Sequence, residues 1–312
     1  MPSIYDLLSR DTESAAESLS IMLEKEQRHY KRRDYLNSDD VHITASDRSI
    51  IVEWCYNLAD HCQLNRETAA IAIDMVDRLI AIDMVDRFFS KKPSSLTRLF
   101  LQDREKYQLL ALSAFYIAIK INEPVAFDSD LVAAISQGMY SKEEVETTEL
   151  LLLHGLRWRM CAPTSVQFAN HILSLILPQV DIQESTWGFI LDEVKYQTEC
   201  AVKHSFFTKT LSSNIAIAAI FNAIQQIDRQ DRRAILHSLV LIMSNEDFAP
   251  PSDLLTTQSW LQVAVKLDEL ASVTKSPDQQ EACSFKRGTP EETLRRQNTP
   301  NSRRTSPRAL AA

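Results

Sequence analysis

From Gln108 to Ile119 the chain reads Gln-Leu-Leu-Ala-Leu-Ser-Ala-Phe-Tyr-Ile-Ala-Ile, uncharged and without a polar face. A helix that is apolar on every side is either buried or in a membrane. This stretch is too short for a membrane, since crossing a bilayer takes about 20 apolar residues. It therefore predicts the central helix of a bundle, with the small Ala111, Ser113, Ala114 and Ala118 letting neighbours close in. Pro124 disfavours helix at the residue before it. That puts Lys120 at the helix's C-terminal rim, where a buried rod meets the surface.

Around this stretch the pattern is amphipathic. Residues 1–22 are polar with scattered apolar positions and predict a mobile segment, while Leu23 to Leu36 reads as a charged surface helix. Ser46-Asp-Arg48 opens a helix in which Ile50, Ile51, Trp54 and Leu58 form one apolar stripe. Asn65, an N-cap residue type, opens the next. Ile71-Ala-Ile-Asp-Met-Val-Asp-Arg78 then recurs letter for letter as Ile80-Ala-Ile-Asp-Met-Val-Asp-Arg87. A nine-residue step is about two and a half helical turns, so in one straight helix the copies face opposite sides. Only one fills a given core slot; the other must extend the helix, bend it or loop out.

A polar loop around Pro93, a short helix from Ser129 to Gly138 and a helix from Lys142 to Gly155 follow, the last opened by the capping box Ser141-Lys-Glu-Glu144. Arg157 to Thr164 breaks the pattern and marks a linker. Beyond it, Ser165 to Leu177 and Trp187 to Lys203 are amphipathic, and Leu211 to Ile224 is again apolar with small residues. Arg229 to Met243 and Ser252 to Leu270 complete what reads as a second, similar bundle. From residue 273 on, apolar residues are too few to order the chain. This tail carries eight Lys/Arg against four Asp/Glu, and four Ser/Thr-Pro pairs at Ser276, Thr289, Thr299 and Ser306 that suggest phosphorylation sites.

Composition narrows the chemistry. Only four glycines occur in 312 residues, which disfavours phosphate-cradling loops. Ala118-Ile119-Lys120 and Asp247-Phe248-Ala249 imitate fragments of protein kinases, yet a glycine-rich loop and an H-R-D motif are missing. An enzyme is therefore not expected. The five cysteines form no C-x-x-C pair, as in free thiols of a reducing compartment, and the histidines lack metal-ligand spacing. No metal or cofactor is implied. The N-terminus has no basic-then-apolar leader and no run reaches membrane length, so a nuclear and cytoplasmic protein without membrane contact is expected. The net charge of −8 makes nucleic acid an unexpected partner, because its binders need a basic surface.

Several of these stretches, taken in order, resemble the cyclin family. Arg48-Ser-Ile-Ile-Val-Glu-Trp54 resembles the M-R-x-I-L-x-D-W opening of the cyclin box. Glu67-Thr68 followed by Asp-Arg-Phe-Phe-Ser90 is similar to its second helix, and Gln108-Leu109 to Lys120-Ile-Asn-Glu123 to its Q-L…A-S-K-Y-x-E third helix. Glu149 with Leu153, Leu156 and Trp158 resembles the M-E-x-x-I-L-x-x-L-x-F helix. Pro163-Thr164…Phe168 matches the P-T-x-x-F start of a second cyclin fold, and Tyr196 to Glu199 with Ser213 to Ala223 resembles that fold's next helices. Each motif is weak alone; six in order are specific. They span roughly residues 25–270.

The resemblance implies an all-α chain of two tandem five-helix cyclin-fold bundles with a disordered C-terminal tail: a cyclin box at 23–161 with its preceding helix, a second fold at 162–272 and a tail at 273–312. It implies a divergent A/B-like regulatory subunit that binds and activates a cyclin-dependent kinase in the cell cycle. Kinase substrates or inhibitors would be further partners; a transcriptional cyclin or TFIIB-like protein is the alternative. Lys120 and Glu149 match the family's kinase-binding pair. Arg48 matches one half of a buried ion pair, with Asp77 and Asp86 competing for the other half because of the repeat. Leu109 matches a core leucine under the lysine, and Ile50, Trp54 and Gln108 fall in the substrate-docking patch. That patch departs from the family at Asp47, where a Met is usual, and at Asn57, where the family has an acidic residue.

Overall fold

A computed structural model describes residues 12–30, 34–36, 42–90, 100–101, 103–244 and 253–274, with the backbone alone at 12, 84–90 and 273–274. The four Ser/Thr-Pro sites at Ser276, Thr289, Thr299 and Ser306 lie outside them. Among the described residues there are eleven α-helices and no strand: α1 Thr12–His29, α2 Ala45–His61, α3 Arg66–Ser90, α4 Arg104–Asn122, α5 Ser129–Ile135, α6 Lys142–Gly155, α7 Ser165–Ile176, α8 Glu184–Lys203, α9 Ser212–Ile224, α10 Arg229–Met243 and α11 Leu254–Thr274. None is long and apolar enough to cross a membrane.

The uncharged stretch is the centre of the first bundle. Asp103 caps α4, accepting from the Glu105 amide, and every residue from Tyr107 to Ile119 is buried. Glu123 ends the helix with an extended backbone (ψ 145°), as the following proline requires. Helices α2, α3, α5 and α6 surround α4. Gly155, at the end of α6, lets that helix close on α3: a Cβ there would lie 2.2 Å from Leu79 Cδ1. In the second bundle α9 takes the same central role against α7, α8 and α11, and α10 packs on α7. Its core, with Phe168, Trp187, Ile190 and Ile220 all buried, is separate from the first.

The start of the chain differs from the sequence expectation. The first helix begins at Thr12, inside the segment expected to be mobile, and ends at His29 rather than continuing to Leu36. Its Ala15 and Leu19 are buried and Met22 and Leu23 pack on the second bundle's core. An alanine and wide apolar spacing hid this stripe among charged residues. Glu26 explains why the helix docks there. Leu211, at the N-cap of α9, offers no side-chain cap; the buried Glu26 carboxylate accepts from the Ser213 amide at 3.1 Å and from the Ser213 hydroxyl instead. Acceptors of negative charge are favoured at a helix N-terminus. Tyr35, expected on the surface, is fully buried.

Both copies of the repeat lie in one continuous helix, α3. The first copy fills the core slot. Arg48 donates through Nε and Nη2 to the two carboxylate oxygens of Asp77, at 3.1 and 2.7 Å, and through Nη1 to the Val202 carbonyl at 2.8 Å. Tyr35 Oη donates to Asp77 as well, at 2.7 Å. Burial alone would lower the Arg48 guanidinium, but the adjacent Asp77 raises it further, so it stays charged. Arg78, also of the first copy, donates to the carbonyls of Arg159 and Met160 at 2.8 and 3.4 Å and lies over the Tyr30 ring, which pins the linker between bundles. The second copy extends the helix, with Ile80 and Ala81 still buried; the Asp86 side chain is outside the described residues.

The residues upstream of the repeat select the register. Glu67 accepts from the Thr164 hydroxyl, Thr68 donates to Glu123, and Ala69 is fully buried. Sliding the second copy into the slot would put Val76, Asp77 and Arg78 at those three places. An arginine would then replace a buried alanine and a carboxylate would face Glu123, and burying an unpaired charge costs several kcal/mol.

Two stability outcomes follow. Asp77→Ala orphans the buried Arg48 and should lower unfolding free energy by about 3–5 kcal/mol, whereas Asp86→Ala, about two and a half turns further along α3, should cost far less; urea denaturation of both variants compares them. Glu26→Ala should cost about 1.5–3 kcal/mol and speed hydrogen exchange at the Ser213 amide before the rest of α9.

Candidate functional site

Lys120 sits in the last turn of α4 and Glu149 on α6, 29 residues later. The packing of α6 on α4 brings them together: Lys120 Nζ lies 2.6 Å from Glu149 Oε1. The lysine side chain is 39% exposed and the carboxylate 15%, so the pair is open to solvent on one side. Two groups hold the ammonium. Besides Glu149, the ring of Tyr116, one turn earlier on α4, lies beneath it with its centroid 3.7 Å from Nζ. Leu109 is buried and belongs with Leu112, Tyr116, Val132, Tyr140 and Val145 to a small apolar cluster on which Trp54 and Phe127 pack.

An apolar border surrounds the charges. Ile121 and Leu150, each next in sequence to one member of the pair, are exposed, as is Val125. Trp158, two helical turns beyond Leu150, is exposed by nearly two thirds. Two consecutive left-handed residues, Arg157 (φ 53°) and Trp158 (φ 61°), turn its ring outward, edge-on to His154. Exposed apolar side chains near a solvent-open charged pair are a feature of protein-binding surfaces.

Of the three residues expected to form a docking patch, Ile50 is exposed, Trp54 is half-buried and Gln108 is buried beneath Tyr140, whose hydroxyl lies 3.4 Å from its side-chain oxygen. Asp47, which departs from the family there, works as a cap: it accepts from the Thr44 amide and hydroxyl at the start of α2 and pairs with Arg104 at 2.8 Å. Tyr116 had a sequence signal, since it precedes Lys120 by one turn. Arg78 and Glu26 had none, because their partners lie 81 and 187 residues away. Among the described residues no group of three His, Cys, Asp or Glu is placed to hold a metal ion.

Burial pulls the Lys120 ammonium down, but the Glu149 carboxylate and the Tyr116 side chain outweigh this and its pKa is raised. A raised lysine stabilises the fold below its unfolded value, near 10.5, and loses that contribution as pH climbs through the folded value. The pair is open to solvent on one side, so a double-mutant cycle with Lys120→Met and Glu149→Gln should give a coupling of about 0.2–1 kcal/mol at pH 7 that fades above pH 10.5. A coupling that fades near pH 6 instead would contradict the assignment.

Residues 17–161 match the family model of the cyclin N-terminal domain. Among curated proteins, cyclin-A2-1 of Oryza sativa subsp. japonica is 24% identical over 217 residues, which is 70% of this chain and 40% of that protein. G2/mitotic-specific cyclin-2 of Antirrhinum majus is 29% identical over 159 residues, 51% of this chain and 32% of its own length. The chain thus spans well under half the length of these two relatives. Among solved structures, a viral cyclin from herpesvirus saimiri shares the fold, with a TM-score of 0.54 at 15% identity over 82% of this chain and 97% of that one. Residues 17–161 thus match a cyclin N-terminal domain, within a chain of two five-helix bundles each built around a buried apolar rod.

Proposed function

We propose that the chain is a non-catalytic regulatory subunit that binds a cyclin-dependent protein kinase through the face around Lys120 and Glu149 and promotes its activity in the cell cycle. The observation that carries this is the exposed ion pair framed by Ile121 and Leu150. An ammonium has three donors and a carboxylate two acceptor oxygens. The contact between them leaves valences on both for a partner: carbonyls for the lysine, amides for the glutamate. A helix end or loop of the kinase offers both kinds of group, and the apolar border supplies the burial that drives association. Bound there, the subunit would hold a mobile kinase helix in its working position. The sequence resemblance supports the same assignment.

Charge-assisted hydrogen bonds contribute about 1.5–3 kcal/mol each. Lys120→Ala combined with Glu149→Ala should therefore weaken kinase binding by at least on the order of 100-fold, measured by calorimetry with the full chain and a purified cyclin-dependent kinase. Phosphate transfer to a histone-like substrate should fall in step. Equal affinity for the double variant would reject the binding face.

A further inference from the structure

We infer that Tyr116 is a positioning residue: its ring holds the Lys120 ammonium in the orientation used for the partner. This rests on the binding face proposed above and adds a residue to it. The geometry is specific. Tyr116 is buried, at the edge of the cluster with Leu109, Leu112 and Val145, so its ring cannot swing away. The ammonium stands 3.7 Å from the ring centroid, inside the range of a cation–π contact, while its other side meets Glu149 at 2.6 Å. A flexible four-carbon side chain is thereby confined between a fixed ring and a fixed carboxylate before any partner arrives.

Confinement in the free protein matters because binding otherwise has to immobilise the lysine. Ordering one rotamer-rich side chain at an interface costs about 0.5–1.5 kcal/mol, a factor of roughly 2–10 in affinity. The ring also keeps its contact when Lys120 trades one hydrogen bond for a partner's carbonyl, because the face of a ring does not compete for the ammonium's donors. A leucine could fill the apolar cluster but could not do this.

Two measurements test it on the full chain. In NMR spectra of the free protein, the ring should shield the Lys120 ε-methylene protons and move them upfield. Tyr116→Phe should keep this shift, and Tyr116→Leu should remove it while far-ultraviolet circular dichroism shows both variants folded. In calorimetry with a cyclin-dependent kinase, Tyr116→Phe should bind within about twofold of the parent and Tyr116→Leu about 2–10-fold more weakly. Unshifted protons in the parent overturn the inference, as does parental affinity for Tyr116→Leu where Lys120→Ala has lost affinity. Failure of the binding face itself has a different signature, undiminished kinase binding by Lys120→Ala; the spectra then still decide whether the ring holds the ammonium.

Discussion

One guanidinium joins the two halves of this molecule. Arg48 lies 3% exposed, with its charge neutralised by Asp77 of the first bundle and a third donor spent on the Val202 carbonyl at the end of α8 in the second. A buried charge tolerates little displacement, since any partner it loses is not replaced by water. The angle between α2 and α3 and the approach of α8 are therefore set together. Around this point the weaker contacts agree: Arg66 reaches Glu199 at 2.9 Å and the Thr164 hydroxyl donates to Glu67. Arg78, the residue after Asp77, fixes the linker.

That constraint also governs how the repeat is accommodated. Eight identical residues offer two equivalent apolar faces, and packing within the slot does not discriminate between them. Discrimination comes from the non-repeated residues before it, where Ala69 fits and an arginine would not. Outside the slot, the duplicated turns simply lengthen α3, which a helix tolerates far better than a strand tolerates a change of register.

Much of the architecture was legible in the sequence because its signals are local. The uncharged run marked α4, the capping box marked the start of α6, and small-residue apolar patterning marked α9. The rim position of Lys120 followed from Pro124, and its pairing with Glu149 from a family likeness. What sequence concealed was long-range. Nothing near Glu26 announces an amide 187 residues on, and nothing near Tyr35 announces Asp77. Helix α1 was misread because its buried positions include an alanine, a residue that marks a close approach and carries little hydrophobic weight. Gln108 falls in the docking patch by resemblance, yet it is buried beneath Tyr140.

The docking of α1 on the far bundle changes what counts as a separable unit. The linker at 157–164 looks like a place to divide the chain, yet a fragment beginning after it would leave Leu19's site in the core empty and the Ser213 amide of α9 without the Glu26 acceptor. During synthesis, residues 12–29 emerge before α7 and α9 and must wait for them before they find their seat. The second bundle is thus closed by a clasp from an earlier helix, and such long-range closure slows folding relative to a bundle of sequential neighbours.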